Sequence, residues 1–498
     1  MEKSIIIIGA GIAGLCTGCY CQMNGYRTRI FDMHTIPGGL CTTWKRKGYK
    51  IDGCIHYLTG SSPEYHYYRF WEEVGGVQGR TMINHEESVR IEGKEGKVFI
   101  VYTDLNQLEQ HMKELAPEDA DVITEILDVA RAGDRFKEMP PEKAPEVMNP
   151  IDGLKMMFTM FPLTRLMKKW GKVSVSDFAQ RFRNPFLREA FPLIQLLPGT
   201  PMMALLMTLS LLHNKAAGYP LGGSLEFARS IEQRYRDLGG EVHYKSLVTK
   251  ILVENDRAVG VQLADGTEHH SDIVISAADG RTTIFDMLEG KYINEKIRDY
   301  YEQLPVYPPI IYVALGIARS FDGVPSVVDY PLDEPVMIAG QEWMRLNVRI
   351  YNFDPSLAPE GKTLLVVLHY TDYEYWRKLS EDPERYKAEK ERIADIVVDS
   401  LDRRFPGLAS QVEMRDVATP MTYERYTGNW KGAYEGWQIS TKTFGMSMNK
   451  TLPGLANFYM AGQWVMPGGG LPTAVMSGRN ITQIICSRDK KRFVTSIP

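Results

Sequence analysis

The sequence predicts an α/β fold in which a parallel sheet flanked by helices is assembled from separated stretches of chain and carries an inserted α+β domain. Three observations predict it. An almost wholly apolar run, Ser4–Ile8, leads straight into a glycine-rich turn and then a helical pattern. The order of strand, glycine turn and helix returns near the other end of the chain. Between the two lie long stretches, residues 76–217 and 289–440, whose patterning differs from both ends.

Taken in order, Ser4–Ile8 lacks polar alternation, as a strand buried on both faces of a parallel sheet requires. Glycines 9, 11 and 14 follow, then a helix to about residue 24 and a strand over Arg27–Phe31 that ends on Asp32. Periodicity predicts an amphipathic helix over 224–238, closed by Gly239 and Gly240, and strands over 241–244, Val248–Glu254, 258–263 and 272–276. A strand over 457–461 and a helix over about 471–486 close the pattern. Residues 76–217 look mostly helical, with a proline-rich break at 140–150. Residues 289–440 mix strands at Ile310–Ile317 and 363–369 with a charged helix over Pro383–Arg404. These signals divide the chain into a discontinuous domain of residues 1–75, 218–288 and 441–498, and a second domain of residues 76–217 and 289–440.

Bulk composition excludes several classes. The chain has 498 residues, a net charge of -4 and no strongly basic segment, so nucleic acid is not an expected partner. Hydrophobic residues at 44% with charged residues at 24% suit a folded globular protein. No run reaches the ~18–20 apolar residues of a membrane span, and no secretory leader is read at the N-terminus. Six cysteines without a framework pattern point to a reducing, cytoplasmic setting. Cys16, Cys19 and Cys21 all fall on the first helix, where they read as small buried residues and not as metal ligands; no metal site is expected.

The glycine spacing carries chemistry. Gly9 permits the tight turn, Gly11 lets backbone approach a pyrophosphate, and Gly14 lets helix and strand pack closely. A pyrophosphate there meets the open N–H groups at a helix start. Asp32 stands 18 residues beyond Gly14, placed to accept from a ribose diol. The segment Pro37, Gly38, Gly39 and a second glycine run at 468–470 extend the pattern beyond one mononucleotide unit. That extension favours FAD over NAD, within a Rossmann-like FAD-binding domain. Only one dinucleotide fingerprint is present, so electrons are expected to pass to or from a diffusible donor or acceptor.

The quoted segments carry a resemblance. "GAGIAG" at 9–14, "PGGLCTTW" at 37–44, "GYKIDGCIHYL" at 48–58, "GYPLGGSLEFARSI" at 218–231, "DIVISAAD" at 272–279, "YTGNWKGAYEG" at 426–436 and "LPGLANFYMAGQWVMPGGGLPTAVMSGR" at 452–479 resemble the FAD-dependent amine oxidase and phytoene desaturase superfamily. Within it they look most like the branch of carotenoid isomerases and retinol saturases. The resemblance implies that Gly38 and Gly39 pass near the pyrophosphate and that Val248 meets the adenine through its backbone. It implies that Gly462 and Gln463 contact the ribityl chain and phosphates, and that Gly470 and Leu471 set a helix start against the flavin's pyrimidine edge. It also brings His56 and Tyr57 close to the flavin, as candidates for proton transfer. Departures are Asp32 for the usual Glu, Gln463 for the usual Asp, Leu40 where many relatives have Arg, and Cys54 where relatives have Gly.

The implied activity is desaturation, saturation or isomerisation of carbon–carbon bonds in a hydrophobic polyene, retinoid or carotenoid-like lipid. Two alternatives stay open: a flavin amine oxidase acting on another substrate, and a non-catalytic lipid binder of the GDP dissociation inhibitor type. Residues 156–160, Phe161, Leu163, Leu166, Met167 and Trp170, interleaved with Lys155, Arg165, Lys168 and Lys169, read either as a peripheral membrane helix or as an amphipathic helix covering the core. The apolar run 201–212 reads as a tunnel wall or as core.

Overall fold

The computed structural model describes residues 2–133, 137–195, 197 and 199–498, with the side chains of Glu95, Thr159, Met160 and Pro162 left outside that description. Its organising element is a five-stranded parallel sheet in the order Glu241–His243, Arg27–Phe31, Ser4–Ile8, Ile273–Ser276, Phe458–Met460. Ser4–Ile8 is central, and Ile5, Ile6, Ile7 and Ile8 are all buried. That placement is why the strand shows no polar alternation. The sheet therefore draws on chain segments more than 400 residues apart.

The helices Ile12–Met23, Gly223–Asp237 and Gly470–Arg488 pack on this sheet and on one another. Close approach is built in at two glycines. A Cβ on Gly14 would stand 1.9 Å from the Gly9 carbonyl oxygen, and one on Gly478 would stand 2.7 Å from the Thr17 hydroxyl. Cys16, Cys19 and Cys21 are fully buried in that packing, as free thiols. Burial in apolar surroundings raises the pKa of each, so they stay protonated and inert. An antiparallel three-stranded sheet, Val248–Glu254, Arg257–Leu263 and Glu268–His270, sits beside the main sheet.

A seven-stranded sheet forms the other half, in the order Val412–Ala418, Ile310–Ile317, Thr363–Tyr370, Gln341–Ile350, Val327–Ile338, Glu87–Glu92, Val98–Tyr102. All its pairings are antiparallel except Val327–Ile338 with Glu87–Glu92. The long helix Pro383–Arg404 covers one part of it, burying Ile393, Val397 and Leu401 against Val313 and Leu365. The helices Leu105–Leu115, Ala120–Arg131, Pro150–Trp170 and Met202–His213 form a cluster against the hairpin of Glu87–Glu92 and Val98–Tyr102. That hairpin departs from the mostly helical reading of residues 76–217. Its alternation (Val89, Ile91, Phe99 and Val101 buried) spans only two short strands, so the longer helical periods on its C-terminal side dominate the stretch.

Candidate functional site

The site begins at the glycine loop. The Gly38 amide donates to the Ala10 carbonyl at 2.9 Å, and Gly11 and Gly38 form a bridge, so the 37–39 turn lies directly on the loop. Asp32 ties the loop down with one oxygen and its own chain with the other. Its Oδ2 accepts from the Ala10 amide at 2.6 Å and its Oδ1 from the His34 amide at 2.7 Å. Each oxygen keeps a lone pair for a further donor.

Two helices start here without any side-chain cap. Gly11 precedes Ile12–Met23 and Gly469 precedes Gly470–Arg488. Their first-turn N–H groups are open, and the helix dipoles add positive potential at the same point. Gly462 lies close by, since a Cβ on it would stand 3.2 Å from Ala13 Cβ. Gly468, Gly469 and Gly470 all have positive φ, at 97°, 46° and 72°, a conformation that side chains disfavour.

All these groups open onto one cavity of about 1310 Å³. Single small-molecule pockets span roughly 300–1,000 Å³, so this one has room for a dinucleotide and a second ligand. Gly9, Gly11, Asp32, Gly38, Gly39, Val248, Gly462, Gln463, Gly470, Leu471, His56 and Tyr57 all line it. Gly14 does not; it lies beneath, in the helix–strand contact. Leu40 and Cys54 line it too. Arg46, also in the lining, is exposed and pairs with Asp416 at 2.8 Å.

The residues present fit FAD. At Gly11, φ is -66°, which any residue adopts. A Cβ there would meet only the Gly38 carbonyl oxygen, 3.9 Å away. The fold itself thus has no need of glycine at this position, and the space a side chain would fill is the approach to two open helix starts. A pyrophosphate suits that space.

Beyond the glycine-lined end, the cavity wall changes. Leu205, Leu209 and Leu212 of Met202–His213 line it, while Met202, Met203 and Leu206 of the same helix are buried in the core. The run 201–212 thus lines the cavity and also packs in the core. Glu435 abuts the Gly468–Gly470 turn, Tyr434 packs on Tyr307 and meets the Tyr370 hydroxyl, and Tyr57 lines the same cavity. Tyr57 keeps 40% of its surface accessible, yet burial raises its hydroxyl pKa. The two agree if that surface faces the cavity and not bulk water. Burial, helped by Arg349, holds the His56 imidazole well below its ordinary range, so His56 is neutral.

Glu435 is the group that sequence periodicity does not single out. It lies within the quoted 426–436 segment, and that match was the one signal available. Its carbonyl and side chain abut Gly469 and Gly470. Burial pushes its carboxyl up to about 7, with Tyr307 opposing the shift. Of the three candidates, only Glu435 changes protonation near neutral pH.

The comparisons agree with this construction. The chain matches the family described as flavin containing amine oxidoreductase over residues 12–486. It is 24% identical to a chloroplastic prolycopene isomerase of Daucus carota, across 96% of this chain and 79% of that protein. It is 23% identical to a 4,4'-diapophytoene desaturase of Methylomonas, across 99% and 96%. Its fold matches the crystal structure of an oxidoreductase from Methanosarcina mazei at a TM-score of 0.59 and 19% identity, over 95% and 99% of the two chains. The chain thus belongs to the flavin-containing amine oxidoreductase family, as an FAD-dependent oxidoreductase.

Proposed function

We propose that the protein acts on carbon–carbon bonds of a hydrophobic polyene, of the carotenoid or retinoid type, by desaturation, saturation or isomerisation. The observation that carries the reading is that Leu205, Leu209 and Leu212 of one helix line the same cavity as the group of Glu435, which abuts Gly469 and Gly470. The kinship with an isomerase and a desaturase, each named for a polyene, supports it. FAD, when bound, supplies hydride acceptance or donation. We further propose residues 1–75, 218–288 and 441–498 as the cofactor domain and residues 76–217 and 289–440 as the substrate domain.

The chain's own residues manage binding and protons. Gly9, Gly11, Asp32, Gly38, Gly39, Val248, Gly462 and Gln463 hold the dinucleotide, and Gly470 with Leu471 presents a helix start to the flavin edge. Leucines of the Met202–His213 helix order the apolar chain and exclude water. Tyr57 donates a hydrogen bond, its raised pKa keeping it protonated. His56, neutral, accepts one. Glu435 carries the proton that is given or taken at the reacting carbon, because its pKa lies near the working pH.

The setting we propose is a reducing compartment with a membrane surface at hand. All six cysteines are free. Among the described residues no helix is long and apolar enough to cross a membrane. The helix Pro150–Trp170 nevertheless exposes Ile151, Leu154, Met157, Phe158 and Phe161, with Ile151 77% and Phe161 69% accessible. An apolar stripe of that kind beside exposed Arg165 and Lys168 suits the headgroup boundary, where a long apolar substrate also resides.

The test is anaerobic. Reduced and oxidised forms of the flavin protein are mixed with a panel of polyenes, retinoids and primary amines, and the flavin absorbance is followed. A polyene should change the flavin's redox state or leave as an isomer. Reduction by amines alone would overturn the reading in favour of amine oxidation.

A further inference from the structure

We propose that Arg349 is the receptor for an anionic oxygen head, a carboxylate or a phosphate, carried at one end of an otherwise apolar substrate. The inference rests on the reading above for the chain-shaped part of the ligand and adds what its end must be.

Arg349 sits near the end of the strand Gln341–Ile350 and lines the cavity. Its Nε is buried without a hydrogen-bond partner. Among the described residues it makes no ion pair with any Asp or Glu. Four residues earlier on the same strand, Arg345 is paired with Asp329 at 2.5 Å, and Arg90 on the neighbouring hairpin is paired with Glu87 at 2.6 Å. Carboxylates of this sheet thus pair with its part-buried Arg345 and Arg90, and among the described residues none pairs with Arg349.

The groups facing Arg349 leave its charge uncompensated. Tyr57, Tyr312 and Tyr351 offer hydroxyls that burial keeps protonated. His56 and His85 are imidazoles that burial and Arg349 together hold neutral. A guanidinium does not escape by losing its proton. A buried cation without a counter-charge is strongly unfavourable and is retained chiefly where a ligand completes it. The planar fork of donors matches two oxygens of a carboxylate or phosphate. The leucines of the Met202–His213 helix line the same cavity, so an anionic head on Arg349 leaves an apolar tail in contact with apolar wall. Arg349 stands on the seven-stranded sheet, whereas the glycine loop follows the central strand of the five-stranded parallel sheet.

The experiment titrates the FAD-loaded full chain with oleate, oleyl phosphate and oleyl alcohol below their micellar concentrations, reading the flavin absorbance. At least one anion should bind ten-fold or more tightly than the alcohol. Preference for oleate assigns a carboxylate, and preference for oleyl phosphate a phosphate ester. Arg349→Gln should abolish the preference and Arg349→Lys should keep part of it. Equal binding of alcohol and both anions by the unmutated protein, or binding of none, overturns the proposal without any variant. It is also overturned if Arg349→Gln keeps the preference, or folds but purifies without flavin, which would assign the guanidinium to the cofactor. An anion preference in a protein whose flavin responds to no polyene would keep the Arg349 site and remove the carbon–carbon chemistry.

Discussion

At the scale of single residues, glycines of one motif do separable work. Gly14 is fixed by the fold: a Cβ there overlaps the Gly9 carbonyl, and overpacking of this kind costs about 1–3 kcal/mol or more. Gly11 has room and an ordinary φ. Gly11→Val is therefore expected to fold, with unchanged far-ultraviolet circular dichroism, while its flavin content drops at least ~10-fold because the side chain occupies the pyrophosphate approach. Gly14→Ala is expected to lower the melting temperature of the FAD-free protein; if Gly11→Val retains full flavin, the assignment of the loop fails. The close packing at Gly14 was legible in the spacing of the glycines, and the same spacing carries the expectation for Gly11 that this variant tests. Glu435 and Arg349 were not legible, because a charged residue turned into a cavity leaves no period in the sequence. Glu435 also predicts a pH dependence. Its folded carboxyl is raised from 4.5 to about 7 by burial, so between those values the folded state holds a proton that the unfolded state releases. Stability from this group is then full below about pH 4.5, falls as pH rises, and is lowest above pH 7, by an upper figure of about 3 kcal/mol. Asp52, raised to about 6 by burial, acts in the same direction. Urea midpoints should fall between pH 5 and pH 8, and Glu435→Gln should shrink that fall. Equal falls in both proteins would mean that Glu435 is ionised at pH 5.

At the scale of elements, the helix Pro150–Trp170 shows how far pattern alone reaches. Its mixture of apolar and cationic residues was legible, but the face was not. Leu163 and Trp170, counted with the lipid-facing set, are buried at 1% and 2% accessibility against the helical cluster. Trp170 packs on Phe178 with ring centroids 5.6 Å apart. The exposed stripe lies instead on Ile151, Leu154, Met157, Phe158 and Phe161. The sequence could not separate them because apolar residues occur on both faces, so no narrow period stands out. The structure makes the two faces experimentally distinct. Replacing Met157, Phe158 and Phe161 with serine should reduce sedimentation with anionic vesicles while flavin content and melting temperature hold. Trp170→Ala should destabilise by roughly 3–5 kcal/mol. Undiminished vesicle binding by the triple variant would end the membrane reading of this helix.

At the scale of the whole molecule, the parallel sheet and its helices were legible almost strand by strand, since buried apolar runs and glycine turns are local signals. The seven-stranded sheet was not. Its order joins Glu87–Glu92 to Val327–Ile338 and Ile310–Ile317 to Val412–Ala418, and pairings across such sequence distances leave no local mark. The proposed division into cofactor and substrate domains makes a prediction of its own at this scale. If FAD spans the glycine-lined part of the cavity, its binding must reach chain segments near residues 9–13, 38–39, 248 and 462–471 at once, because each contributes residues to the cavity wall. A ligand that binds only the folded state stabilises it by about 2.7 kcal/mol at one hundred times its dissociation constant. Local openings that expose the site must be suppressed by the same amount, since they abolish binding. Amide hydrogen exchange should therefore slow by about 100-fold on adding FAD at those four separate segments wherever exchange proceeds through site opening. The helices Leu105–Leu115 and Ala120–Arg131, which contribute no residue to the cavity wall, should change little where they exchange by local fraying. Protection confined to residues 9–39, with 462–471 unaffected, would show a mononucleotide-sized ligand on one end of the cavity and would remove the C-terminal stretch from the cofactor domain.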